Sequence, residues 1–329
     1  VILLLTTLAC TPGDYWYFRT DGVDLPVRVE GNLDSGVILL LLHGGPGGSA
    51  VDYNYGLDTE LLEAEFATAY FDQRTQGGTH GRYSADMLTI HQVATDTANL
   101  VDALRARYGD DTSVWLYGHS WGGMLGTATL LDTDADVDGW IESAGSHDYP
   151  LNDRYTAEMY IARGTEEIEA GSEHSAEWRE IVDFASSLDL DDISDDDSLQ
   201  LNQYAFEAEG YVDLAEGAWG QESGILVALR NPTVKATSAV SGLSGGSRLN
   251  MDAQDTSYTP RLNEIDVPSL FIYGDSDFVC PQQLGLDAYE AASTDAKEFV
   301  VLEESGHSLM VNQPEAYADA LITFVNAWK

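Results

Sequence analysis

Ser120 stands in Gly118-His119-Ser120-Trp121-Gly122, a G-x-S-x-G spacing followed by another glycine, Gly123. It comes directly after the apolar run Val114–Tyr117 and before a helix-like stretch, Trp121–Leu131. A strand–turn–helix context of this kind lifts a serine hydroxyl onto a sharp, strained turn, where it can attack an acyl carbon. Such a serine needs a base to take its proton, and the base needs a carboxylate to hold its tautomer. Two later segments offer these groups in the chain order Ser, acid, His. Tyr273-Gly274-Asp275-Ser276-Asp277 carries the acid, with Asp277 expected in the role and Asp275 as its rival. Glu304-Ser305-Gly306-His307-Ser308 carries the base, His307. The remaining histidines lack such a setting. His119 lies inside the serine turn and His43 in a glycine loop, where a structural hydrogen bond is expected; His80, His91, His147 and His174 accompany no pattern.

Attack on a carbonyl leaves an oxyanion, which needs hydrogen-bond donors where the charge develops. One is expected from the backbone N–H of Trp121. The other is expected from His43-Gly44-Gly45-Pro46-Gly47, at Gly45, with Gly44 as the alternative. A phosphate cradle is disfavoured, since neither a following Lys-Ser/Thr nor a G-x-G-x-x-G with a ribose-binding acid is present. Asp134-Ala135-Asp136-Val137-Asp138-Gly139 matches the opening of a calcium loop. Its twelfth position is Gly145, where a bidentate glutamate is required, so it reads as a solvated acidic turn. No metal ligand set is expected.

These groups must be carried on strand ends. Val37–Leu42 is a continuous apolar run, as a parallel strand buried on both faces should be. Thr68–Phe71, Val114–Tyr117 and Trp140–Ala144 repeat it, with helix-like Val93–Tyr108 and Trp121–Leu131 between. Tyr15–Arg19 and Leu25–Glu30 read as an antiparallel pair around Asp21-Gly22. Alternation lapses at 146–262 and resumes with strand Ser269–Tyr273, helix Gln282–Ala292, strand Glu298–Leu302 and helix Pro314–Trp328. The expected fold is α/β, a mostly parallel doubly wound sheet formed by 15–145 and 263–329. The inserted 146–262 is expected to be a mainly helical cap. Its acidic run Asp189–Asp197 reads as a solvated loop or helix edge.

Fifteen basic and fifty-six acidic residues give a formal charge of −41, with lysine only at Lys235, Lys297 and Lys329. Such a surface repels nucleic acid and anionic membranes, whose binding requires the opposite sign. Residues 1–14 read as a truncated export signal. Thr7-Leu8-Ala9-Cys10 resembles a bacterial lipobox, which would make Cys10 a lipid anchor and place the protein in the cell envelope; a cleaved signal and secretion are the alternative.

His43–Gly47, Asp72-Gln73-Arg74-Thr75-Gln76-Gly77-Gly78-Thr79, Gly118–Gly123, the Gly274…Asp277…Pro281 spacing and Gly306-His307 together resemble the prolyl aminopeptidase (proline iminopeptidase) family of α/β hydrolases. The resemblance covers the core on both sides of the insertion. It implies an α/β-hydrolase fold and removal of an N-terminal residue, often proline, from small peptides. It implies a triad of Ser120, Asp277 and His307, and neither metal nor organic cofactor. Thr75 departs from the glycine usual in that family after D-Q-R. The family's cap glutamates hold the substrate's α-amine; here Glu207, Glu209, Glu216 and Glu222, with Trp219 nearby, are the candidates. A carboxylesterase using the same machinery on small esters is the alternative function, and a non-catalytic surface binding lipoprotein a second.

Overall fold

The computed structural model describes residues 13–217 and 246–329. Cys10, Trp219 and Glu222 lie outside them. β1 (Asp14–Thr20), β2 (Val23–Gly31), β3 (Val37–Leu42), β4 (Ala67–Phe71), β5 (His80–Gly81), β6 (Ser113–His119), β7 (Gly139–Ser143), β8 (Ser269–Gly274) and β9 (Lys297–Leu302) form one sheet. Its order is β1-β2-β4-β3-β6-β7-β8-β9, with β5 pairing on β2. Pairs from β4 through β9 are parallel, and β1 and β2 add an antiparallel edge. The expected antiparallel pair at the start is present and turns at Asp21-Gly22, as read.

The period of two along β3 explains why its sequence is apolar throughout. Ile38, Leu40 and Leu42 face one core with α2 (Ile90–Tyr108) and α3 (Trp121–Asp132). Val37, Leu39 and Leu41 face a second core with Leu62 of α1 (Leu57–Glu65) and with Tyr317, Leu321 and Phe324 of the helix Pro314–Trp328. Each such side chain removed from water contributes about 1.5–3 kcal/mol, so the strand is locked in register from both sides.

After β7 the chain leaves the sheet. Asp148 caps α4 (Tyr149–Ala170) by accepting from the Leu151 N–H at 3.0 Å, and α4 ends at Gly171 with φ of 72°. α5 (Ser175–Ser187) packs on α4. Ser194 caps α6 (Asp195–Glu209), and Asp195, Asp196 and Asp197 fill its first turn, where the helix dipole favours negative charge. Part of the acidic run is therefore a helix start. The inserted helices grip the segment after β8: Asn152 Nδ2 donates to the Val279 carbonyl at 3.0 Å and Thr156 Oγ1 to that of Phe278 at 3.2 Å. Tyr160 stacks on Phe278 at 5.8 Å between ring centroids, and Trp178 approaches it at 5.7 Å. Among the described residues no helix is long and apolar enough to cross a membrane.

Candidate active site

Ser120 occupies the turn between β6 and α3 with φ 58° and ψ −123°, a left-handed conformation that costs a non-glycine residue about 1–3 kcal/mol. Its N–H donates to the Ser143 and Ala144 carbonyls at 3.2 and 3.1 Å, which fastens the turn to the end of β7. A Cβ at Gly118 would strike the Gly122 carbonyl, and one at Gly122 the Leu42 carbonyl. The flanking glycines are thus required by close backbone approach.

Asp277 is fully buried. Its Oδ1 accepts from the Val279 and Cys280 N–H groups at 2.9 and 2.8 Å. Its Oδ2 faces His307 Nδ1 at 3.1 Å. Asp275 instead accepts from the Ser305 N–H at 3.2 Å. Desolvation works against a charged His307, yet the charge and hydrogen bond of Asp277, aided by Glu209, hold its pKa above the ordinary value. No hydrogen bond of standard geometry joins Ser120 to His307 among the described residues; such contacts often tighten only when substrate binds.

His119 has a structural place beside this pair. Its Nε2 meets the His307 carbonyl at 2.9 Å and its Nδ1 the Tyr53 hydroxyl at 2.8 Å, and its ring lies 4.8 Å from that of His307. Burial, then the nearby His307, press its pKa down to about 3, so it stays neutral. His43 is likewise buried and bonded within its loop, Nδ1 lying 2.9 Å from the Gly44 carbonyl.

Gly45, Ser120 and Trp121 line one cavity of about 140 Å3. The Gly44 N–H is taken by the Tyr53 hydroxyl at 3.0 Å, whereas Gly45 is exposed. The Asp72–Gln76 segment braces this loop. Gln73 Nε2 donates to the His43 carbonyl at 2.9 Å, and its Oε1 accepts from Trp121 Nε1 at 2.9 Å and Gln76 Nε2 at 3.0 Å. Gln76 Oε1 in turn accepts from the Gly47 N–H at 2.6 Å. Asp72 accepts from Ser49 Oγ and the Ala50 and Gly78 N–H groups. Arg74 is anchored to Asp96 through two bonds of 2.7 and 2.8 Å, both side chains fully buried. Thr75 sits at φ 67°, the region that favours the glycine it replaces, and its buried hydroxyl has no partner.

The candidate glutamates separate. Glu207 and Glu216 are exposed and do not line the Ser120 cavity. Glu209 lies against the loop that carries His307, accepting from the His307 N–H at 2.8 Å. Burial, then the charge of Asp277, push its pKa up to about 7. Among the described residues the carboxylate that does line the cavity is Asp153 on α4, which sequence reasoning missed. Burial raises it to about 6, partly opposed by the Ser198 hydroxyl. Its neighbours there include Ser146, Asn152, Asn202, Asn250 and Gln254. No motif surrounds Asp153; only the register of α4 against the core brings it to Ser120.

Comparison with known proteins follows the same lines. A protein-family model described as the alpha/beta hydrolase family matches residues 39–320. The chain is 26% identical to a probable aminopeptidase, YbaC, of Bacillus subtilis (strain 168), over 86% of this chain and 87% of that one. It is 23% identical to the proline iminopeptidase of Heyndrickxia coagulans, over 89% and 91%. The crystal structure of VinJ superposes with a TM-score of 0.65 at 18% identity, over 97% of this chain and 100% of that one.

Proposed function

The chain belongs to the alpha/beta hydrolase family, and we propose that it is a serine hydrolase releasing the N-terminal residue of short peptides. Ser120 attacks the first peptide carbonyl while His307 Nε2 takes its proton, and Asp277 holds the imidazole with Nδ1 protonated. The N–H groups of Gly45 and Trp121 stabilise the oxyanion. His307 then hands the proton to the leaving amine, which leaves an ester on Ser120 that water hydrolyses by the same steps in reverse. The inserted helices act as a cap that closes the site to long substrates.

One observation carries the choice of an amine-bearing substrate: the wall of the Ser120 cavity is polar and holds a carboxylate. Asp153 accepts the α-ammonium, and the amides of Asn152, Asn202 and Asn250 complete a polar, residue-sized pocket. An apolar wall would suit an acyl ester better. The names of the two relatives, an aminopeptidase and a proline iminopeptidase, support the same reading. The test is turnover of prolyl and other aminoacyl anilides against short acyl esters. Anilide turnover is expected, lost in Ser120→Ala and with KM raised at least tenfold in Asp153→Asn. Turnover of esters alone would assign a carboxylesterase instead.

A further inference from the structure

A second cavity, of about 410 Å3, opens on the other side of the glycine loop. It shares Gly45 with the Ser120 cavity but is not lined by Ser120. Tyr53, Tyr70 and Tyr117 contribute to its wall, and the protein already uses their hydroxyls. That of Tyr53 meets the Gly44 N–H and His119, that of Tyr70 donates to Glu63, and that of Tyr117 pairs with Tyr317. What these tyrosines offer a guest is the ring, whose face attracts cations. Of the other polar side chains in the wall, which include Asp52, Thr59 and Ser308, two bear on the choice of guest. Thr68, only 3% exposed, lines the wall with its hydroxyl unpartnered. Asp58, 8% exposed, brings a carboxylate near the start of α1, where it already accepts from the backbone N–H groups of Asp58 and Thr59 and keeps lone pairs for a further donor. No Lys or Arg lines the cavity among the described residues. The buried Thr68 hydroxyl calls for a partner, and acceptor, carboxylate and aromatic ring together select a positively charged donor.

We propose that this cavity binds a small organic cation bearing a primary or secondary amine, its N–H groups directed to Asp58 and Thr68 and its charge set against the tyrosine rings. Burial pushes the Asp58 carboxyl up to about 7, and a cation beside it would restore the charged form. The site stands apart from the reaction assigned to Ser120 and does not rest on it.

Calorimetric titration of the whole chain with benzylamine, and with benzyl alcohol as a neutral probe of the same shape, tests the proposal. Saturable binding of benzylamine is expected, with benzyl alcohol at least tenfold weaker. Titrated in an Asp153→Asn background, which removes the ammonium acceptor of the other cavity, Asp58→Asn should weaken benzylamine at least tenfold and Thr68→Val severalfold. Thr68→Val keeps the side-chain volume, so it serves where Asp58→Asn lowers the melting temperature. Equal binding of the two probes, no binding of benzylamine in the Asp153→Asn background, or full retention there when Asp58→Asn is added would each overturn it.

Discussion

Asp277→Asn replaces one oxygen of the buried carboxylate with an NH2 group and changes little in shape. The amide can be oriented in two ways. With its NH2 toward Val279 and Cys280 it would face two N–H donors that now sit 2.9 and 2.8 Å from Oδ1. Two donors opposed at that distance cannot hydrogen-bond, so the carbonyl must stay there and the NH2 must face His307 Nδ1, 3.1 Å from Oδ2. Nδ1 then has to accept, which moves the ring proton to Nε2 and removes the lone pair that would take the Ser120 proton. In a serine-protease triad the corresponding change costs about 10^4-fold in kcat. A loss of roughly 10^3–10^4-fold is therefore expected here, about 4–5.5 kcal/mol of barrier. Both backbone hydrogen bonds survive, so the melting temperature should stay within a few degrees. Asp275→Asn, whose carboxylate accepts from the Ser305 N–H rather than facing His307, should change kcat less than about threefold. Steady-state kinetics on an aminoacyl anilide or a short ester would read either variant. Retention of more than a tenth of kcat in Asp277→Asn, or a hundredfold loss in Asp275→Asn, would refute the tautomer reasoning.

Glu209→Gln keeps an acceptor for the His307 N–H and removes a charge that helps hold the imidazole above its ordinary pKa. His307 must be neutral to take a proton, so activity rises as pH climbs through its pKa. The acid limb of kcat/KM should move to lower pH by about one unit; a limb that stays in place or moves upward counts against the coupling. Asp96→Ala strands the buried Arg74 guanidinium, at a cost of about 3–5 kcal/mol. Urea denaturation would measure it, and a loss under about 1 kcal/mol would show that Arg74 finds another partner.

The sheet was legible because burial on both faces leaves a continuous apolar run, as in β3, that ends at a glycine loop. The two-residue β5 has no such run and went unread. The serine turn was legible because steric demand fixes Gly118 and Gly122. Asp277 was preferred to Asp275 on spacing alone, since both lie in the loop after β8; the Val279 and Cys280 N–H groups are what fix which carboxylate meets His307. Glu207 and Glu209 show the same limit on a helix. They lie two positions apart on α6, on different faces, and an acidic helix with little apolar contrast conceals which face meets the core. Asp153 was silent because long-range packing alone brings it to Ser120. The bonds from Gln73 and Gln76 to the glycine loop and Trp121 supply a physical reason for a motif that sequence offered only as a resemblance.

The central claim is that Ser120 is a nucleophile activated by His307. A fluorophosphonate probe followed by peptide mass spectrometry tests it most directly. Stoichiometric phosphonylation of Ser120 is predicted, abolished in Ser120→Ala and slowed at least a hundredfold in His307→Ala. A folded protein that remains unlabelled at Ser120, or that labels equally fast without His307, would contradict it.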